Sequence, residues 1–313
     1  MPPAARLARG FCSPRSYLSI APSTVHLGLE VAQTGSSILT AGMSVEGTHP
    51  VEPRPRGRIF DEDAARYDAM RPAYPALLFD ELARVGELDI GSRVLEIGAG
   101  TGQATVALAE RGYRLTAIEP GPAMAAILER KLRSFPLADV QVTTFEGWPL
   151  TRDPFDAIVA ATSFHWLDPN RRLSKSAAAL RPGGVLAVIS THHVAGGDQP
   201  FFREVQACYE RFDPSTPPGL TLPHEDEIDD GIDGIDGSTS FDAVTGARIG
   251  LEYTYTTQEY RDLLLTYSGH RALDPPARAA LLACIGRLID ERFDGRITKR
   301  YLFQLAMARK TSR

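Results

Sequence analysis

Two acids bracket a glycine-rich turn. Glu96 stands two residues before Gly98, and Gly98, Gly100 and Gly102 alternate in GAGTG. Glu119 then closes the next apolar run. Glycine lets a ligand approach the backbone closely, because it has no Cβ and tolerates positive φ. An acid at the end of the following strand can accept hydrogen bonds from both hydroxyls of a ribose. The dinucleotide fingerprint needs a further glycine at the sixth position of the turn, where this chain has Gln103. Glu96 would repel a pyrophosphate, whereas it complements the ammonium group of an amino acid. The chemistry is that of a nucleoside cofactor with an amino-acid end.

The elements that must hold these residues follow from apolar spacing. Val94, Leu95 and Ile97 predict a strand, Thr105 to Arg111 a helix, and Leu115, Ala117 and Ile118 a second strand that delivers Glu119. Upstream, Asp61 to Gly86 reads as helices interrupted at RPAYP, since Pro72 and Pro75 do not fit a helix interior. Gly121-Pro122 opens a helix through Leu128, and a third strand through Val140 and Val142 ends around Thr144-Phe145-Glu146. FDAIVAA (155–161) reads as a strand buried on both faces. Leu173 to Leu180 predicts a helix stopped by RPGG, and Val185 to Ser190 the next strand. Such alternation means a parallel sheet with helices on both faces.

After residue 192 the rhythm breaks. Phe201 to Phe212 predicts a helix, and EDEIDDGIDGIDGS (225–238) lacks the ligand order and closing Glu of an EF-hand, so it reads as a solvated flexible loop. Leu251 to Tyr255 predicts a strand, Thr257 to Tyr267 and Pro276 to Phe293 helices, and Tyr301 to Ala308 a last strand.

Composition narrows the classes. The 34 basic and 39 acidic residues among 313 give a net charge of −5, which offers no general attraction to nucleic acid. No apolar run approaches the ~18 residues of a membrane span. Cys12, Cys208 and Cys284 are odd in number and widely spaced, which suits a reducing, cytoplasmic setting and shows no metal-ligand spacing. Residues 1–57 form a Pro-, Ser-, Ala- and Gly-rich leader with no sustained helical or strand period, which is expected to be disordered. It has no acid before Glu30, as in an organellar transit segment. The alternative is a start read too early, with Met43 as the true beginning.

The GAGTG turn with Glu96 and Glu119 resembles motif I of the class I S-adenosylmethionine-dependent methyltransferases. Three further segments, FDEDAARYDAMRPAYP (60–75), ATSFHWLDP (161–169) and TYSGHRALDPPAR (266–278), resemble the small-molecule subgroup with a type 11 methyltransferase domain that includes trans-aconitate methyltransferase. The resemblance covers residues 58–313. It implies an α/β fold: a seven-stranded Rossmann-like sheet with helices on both faces, a terminal antiparallel hairpin, and residues 192–250 as a lid or substrate insertion. It implies S-adenosylmethionine as cofactor, with Tyr67 and Arg71 closing over its methionine end and Glu119 on its ribose. Phe145 and Glu146 would meet the adenine.

His165 and Trp166 follow the fourth strand and should face the transferred methyl. Displacement at a sulfonium needs an aligned nucleophile in a dry site, and orientation can supply roughly 7–11 kcal/mol. A carboxylate acceptor needs no base, while a hydroxyl or amine would make His165 the candidate. His165 could equally only shape the pocket. Because Ser163-Phe164-His165-Trp166 stands where methylases of base amines carry Asn/Asp-Pro-Pro-aromatic, nucleic-acid amines are disfavoured. His192, His193 and Tyr267 are the expected substrate contacts. The expected activity is methyl transfer to a carboxylate or hydroxyl oxygen of a small molecule. A protein or RNA methyltransferase and an inactive cofactor-binding regulator are the alternatives, and neither acceptor identity nor oligomeric state is fixed by the sequence.

Overall fold

The computed structural model describes residues 58–312, so the expectations for the leader lie outside the described residues. Seven strands form one sheet in the order β3-β2-β1-β4-β5-β7-β6. Strands β1 (Arg93–Ile97), β2 (Arg114–Ile118), β3 (Ala138–Gln141), β4 (Phe155–Ala161) and β5 (Leu180–His193) run parallel. Strand β7 (Arg296–Arg309) lies antiparallel between β5 and β6 (Thr245–Thr256).

Helices α1 (Arg58–Asp61), α2 (Ala64–Met70) and α3 (Ala76–Gly86) precede the sheet, and α4 (Thr105–Glu110), α5 (Pro122–Lys131) and α6 (Arg172–Ala179) connect its strands. Helices α7 (Gln199–Glu204) and α8 (Gln206–Phe212) follow β5; α9 (Thr257–Leu264), α10 (Ser268–Ala272) and α11 (Pro275–Arg292) lie within the last hairpin.

Alternation along the strands divides the core. Val94, Ala157, Val159, Val185 and Phe303 enter one cluster with Leu78, Leu108, Leu263 and Ile285 of the helices. Leu95, Ile97, Ile158 and Leu186 enter the other, with Phe164 and Ala177. Each fully buried Leu or Ile contributes about 1.5–3 kcal/mol, so the central strands tolerate little polar substitution. This is the expected doubly covered parallel sheet, with the two turns after β1 and β4 at its carboxyl edge.

Five local readings are corrected. β5 runs on to His193 because β7 pairs with it residue by residue as far as Tyr301. The same 14-residue β7 gives β6 partners from Thr245, six positions before the apolar alternation at Leu251. β3 stops at Gln141, which leaves Phe145 and Glu146 in the following loop.

The acidic run is no free loop. Ile232, Ile235 and Phe241 are buried in the second cluster, Asp233 pairs with Arg172, and the Asp229 carbonyl accepts from Gln304 at 2.7 Å. Isoleucines three apart among the acids gave that run one apolar side. The segment between β5 and β6 therefore packs on both faces of the sheet, α7 and α8 on the first and residues 232–241 on the second.

The fifth correction concerns the cysteines. Cys208 of α8 and Cys284 of α11 are joined in a disulfide across a sequence separation of 76, with Cα atoms 5.8 Å apart. Their distance along the chain concealed the pairing, because it is the helix–helix packing that brings them together.

Candidate active site

The GAGTG turn is built by its glycines and fastened by Glu119. Gly98, Gly100 and Gly102 all have positive φ. A Cβ on Gly98 would lie 2.6 Å from the Ser163 Cβ, so the turns after β1 and β4 can only meet here without a side chain. A Cβ on Gly100 would meet side chains only, Met124 at 3.5 Å and Gln103 and Tyr67 at 3.9 Å, so no backbone closes that side of the turn. Glu119 Oε2 accepts the Gly100 N–H at 2.8 Å and Oε1 the Gly121 N–H at 2.8 Å. Each oxygen keeps a lone pair for a further donor, as a ribose requires. Burial raises the Glu119 carboxyl above its ordinary range, against the two backbone N–H bonds.

Glu96, at the end of β1, is 1% exposed, and its Oε2 has no hydrogen-bond partner. Burial pushes it up to about 8, against the lowering influence of the neighbouring Thr105 hydroxyl, and the Glu119 charge raises it further. An orphaned buried carboxyl oxygen beneath a glycine cradle fits an ammonium ligand, so the residues present suit S-adenosylmethionine. One contributor escaped the sequence reading. Asp61 Oδ1 accepts the N–H groups of Ala123 at 2.7 Å and Met124 at 3.0 Å, capping the helix that follows Glu119. A lone acid 62 residues upstream carries no signal of that contact.

Tyr67 stands beside the turn, its Cε1 3.9 Å from where a Cβ on Gly100 would lie, and Arg71 stacks on Tyr67. Arg71 is the C-cap of α2 rather than part of it. Its guanidinium carbon lies 4.9 Å from the Tyr67 centroid and 4.6 Å from that of Tyr267, and its Nη2 donates to the Thr266 carbonyl at 2.8 Å. The stack continues with Lys299, whose Nζ sits 5.0 Å over Tyr267 and 4.6 Å over Tyr301 and donates to the Tyr267 hydroxyl at 3.0 Å.

Lys299 is 4% exposed, and no carboxylate pairs with it among the described residues. Burial lowers its ammonium, against the attraction of Tyr267. Burial would raise Tyr267 in turn, but Lys299 and Arg71 outweigh it and hold the phenol below its ordinary value. Lys299 was missed because TKRYLFQLAMA looks like a strand with a charged start. The only hint is that Lys299 shares the inward phase of Tyr301 and Phe303.

The other candidates divide. His165 is exposed on a short turn (Phe164–Trp166), its ring 4.8 Å from that of half-buried Trp166. Ser163 and Thr162 fix that turn: Ser163 donates to the Ile97 carbonyl, and Thr162, at φ +52, meets the Tyr74 hydroxyl at 2.8 Å.

His192 and His193 are the last two residues of β5, so they point to opposite faces and cannot grip one anion together. His193 lies against Phe202, ring centroids 4.6 Å apart, and burial, aided by Lys299, lowers it well below its ordinary value. His192 is lowered by burial and by Arg248. Both shifts disfavour the charged imidazole, so the two histidines are poorly suited to hold an acidic group as a pair.

Phe145 is 3% exposed within the second core cluster, and Glu146 Oε1 accepts the Asp168 N–H at 3.0 Å. These two therefore stabilise the loop after β3, where Trp148 is also buried with its indole donating to Gln141 at 3.0 Å. At most an edge of Phe145 is left for a base.

The sheet order, the glycine turn and the strand-end acid define a nucleoside-cofactor fold of the class I kind. Comparisons with known proteins agree. A methyltransferase domain family matches residues 95–188. An uncharacterized methyltransferase of Geobacillus kaustophilus is 30% identical over 155 residues, 47% of this chain and 70% of that protein. An uncharacterized methyltransferase of Mycobacterium tuberculosis is 36% identical over 130 residues, 42% of this chain and 51% of the relative. The chain thus spans about half the length of the first curated relatives it matches. Among solved structures, the YcgJ protein from Bacillus subtilis aligns with a TM-score of 0.48 and 16% identity over 76% of this chain and 100% of that one. The chain belongs to the S-adenosylmethionine-dependent methyltransferases.

Proposed function

We propose that this chain transfers a methyl group to an oxygen of a small acidic acceptor, seated between the His165–Trp166 turn and the Tyr267–Lys299 pair. S-adenosylmethionine supplies the electrophilic methyl when bound. In this reading Glu96 receives its ammonium, Arg71 its carboxylate, Glu119 its ribose and the Gly100 backbone its close approach. The exposed turn after β4 presents His165 and Trp166 at the same edge of the sheet, where they orient the acceptor and exclude water. A carboxylate acceptor reacts without losing a proton. A hydroxyl acceptor must release one, and His165 is the exposed imidazole at that edge.

The observation that carries the acidic class is Lys299, an ammonium withdrawn from water with phenols and rings around it but no carboxylate. Burying a charge is expensive unless a partner compensates it, and an anionic group on the acceptor would be that partner. Helices α7 and α8, packed beside His193 through Phe202, are the part of the insertion suited to cover it; residues 232–241 act as packing for the opposite face.

The test is an acceptor screen that reads S-adenosylhomocysteine release across small carboxylic acids, their amides and neutral alcohols. Turnover confined to the acids supports the reading. Turnover of the amides equal to that of the acids, or of protein or RNA alone, overturns it. Cofactor binding without turnover on any acceptor would favour a regulator.

A further inference from the structure

The Cys208–Cys284 bond lies in a groove of about 560 Å³ between α7–α8 and α11, away from the cofactor turn. Both cysteines line the groove; Cys208 is buried and Cys284 half-buried. Arg203, Arg287 and Arg292 line the same groove against Glu204 and Glu291. Arg292 pairs with Glu204 at 2.9 Å, while Arg203 and Arg287 have no ion-pair partner among the described residues. Arg287 stands one turn after Cys284 on α11 and lines the same groove, a placement in which a guanidinium can favour a thiolate at that position.

We propose that this groove is an exchange site for a low-molecular-weight thiol bearing carboxylates, and that the protein disulfide is its reversible substrate. The small thiolate attacks Sγ of Cys284, the less buried of the two residues. The Cys208–Cys284 bond breaks, Cys208 leaves as a thiolate and takes a proton from water, and a mixed disulfide remains on Cys284. A second small thiol displaces Cys284 from it. Two small thiols are thereby oxidised to one disulfide while the protein bond is reduced to two thiols. Arg203 and Arg287 hold the incoming carboxylates.

The exchange reaches the site at the carboxyl edge through α8. Tyr209 adjoins Cys208, its hydroxyl lies 3.0 Å from His270 Nε2, and the His270 ring is 6.0 Å from that of Tyr267. Reduction frees α8 from α11 and loosens this chain of contacts.

The experiment treats the full-length protein with reduced glutathione or with cysteamine at equal thiolate concentrations, traps thiols with N-ethylmaleimide, and maps the adducts by peptide mass spectrometry. Anionic glutathione should open the bond about tenfold faster than cationic cysteamine at low ionic strength. Added salt and the double variant Arg203→Ala, Arg287→Ala should shrink that gap. Hydrogen exchange of residues 206–212 and 267–272 should rise on reduction, with cofactor affinity unchanged within threefold.

Equal rates for the two thiols, resistance to both, or free thiols at 208 and 284 in the protein as isolated would overturn the exchange site. Unchanged hydrogen exchange after complete reduction would overturn the link to Tyr267. A Cys284→Ser variant, checked by its melting temperature, shows whether loss of the bond alone unfolds α8. None of these readouts depends on the acceptor.

Discussion

The carboxylate of Glu119 accepts the backbone N–H of Gly100 at 2.8 Å, so the acid proposed to hold the ribose also shapes the turn that the cofactor must approach. Its other oxygen performs the same service for Gly121, at the start of α5. Recognition and scaffold share one side chain.

Replacing Glu119 should separate these two roles. Glu119→Ala leaves two N–H groups unpaired, at about 1–3 kcal/mol each, and should lower the melting temperature as well as abolish cofactor binding. Glu119→Gln keeps one carbonyl acceptor. It should melt within a few degrees of wild type yet bind S-adenosylmethionine more than about tenfold more weakly, a loss of at least ~1.4 kcal/mol. Calorimetric titration of both variants checks this, and wild-type affinity in Glu119→Gln would remove the ribose role.

Glu96 should link cofactor binding to pH. Its folded value of about 8 lies above its ordinary 4.5, so the ligand-free protein holds a proton there that the unfolded chain has lost. The resulting stability is fully present below about 4.5 and is lost as pH rises through about 8. The slope within that window is at most about 1.4 kcal/mol per unit. The melting temperature of ligand-free wild type, relative to Glu96→Gln, should therefore fall as pH rises across that window. An incoming ammonium expels the proton. Calorimetry in buffers of different ionisation enthalpy should show proton release near neutral pH in wild type and none in Glu96→Gln.

Tyr267 and Lys299 should titrate as a pair. Alkaline difference spectra should contain a tyrosine that ionises below the ordinary ~10, absent in Tyr267→Phe and moved upward in Lys299→Met. The methionine variant removes a buried charge without leaving a partner charge behind, so its melting temperature should hold or rise. Its cofactor affinity should match wild type within threefold, while KM for an acidic acceptor rises at least about 30-fold, or ~2 kcal/mol. An unchanged KM would refute the anchor.

His165→Gln should keep turnover within about threefold from about pH 6 to 9 if, as proposed, the exposed ring beside Trp166 only orients the acceptor. A fall of about 100-fold, with loss of the limb of the pH profile assigned to a base, would make His165 the proton acceptor and the substrate a hydroxyl.

What was legible in the sequence is what lies close together along the chain. A strand, a turn and a helix occupy consecutive residues, and the steric needs of the GAGTG backbone and the charge of Glu96 and Glu119 act within about 25 residues of one another. Periodicity likewise revealed the central parallel strands, since each must be apolar to be buried twice, whereas the edge strand β3 is only partly buried and its end was misplaced. Together these determined the class of fold and the cofactor.

The tertiary structure decided everything that depends on a partner far along the chain. β7 alone sets the ends of β5 and β6, and by extending β5 it turns His192 and His193 to opposite faces. Lys299 acquires meaning only under Tyr267, and Cys284 only beside Cys208. Ile232 and Ile235 convert an acidic run into packing because the face above α6 is there to receive them. Local backbone geometry and hydrophobic period are written in neighbouring residues; the pairing of buried charges, sulfurs and strand ends is set by the folded core that brings them together.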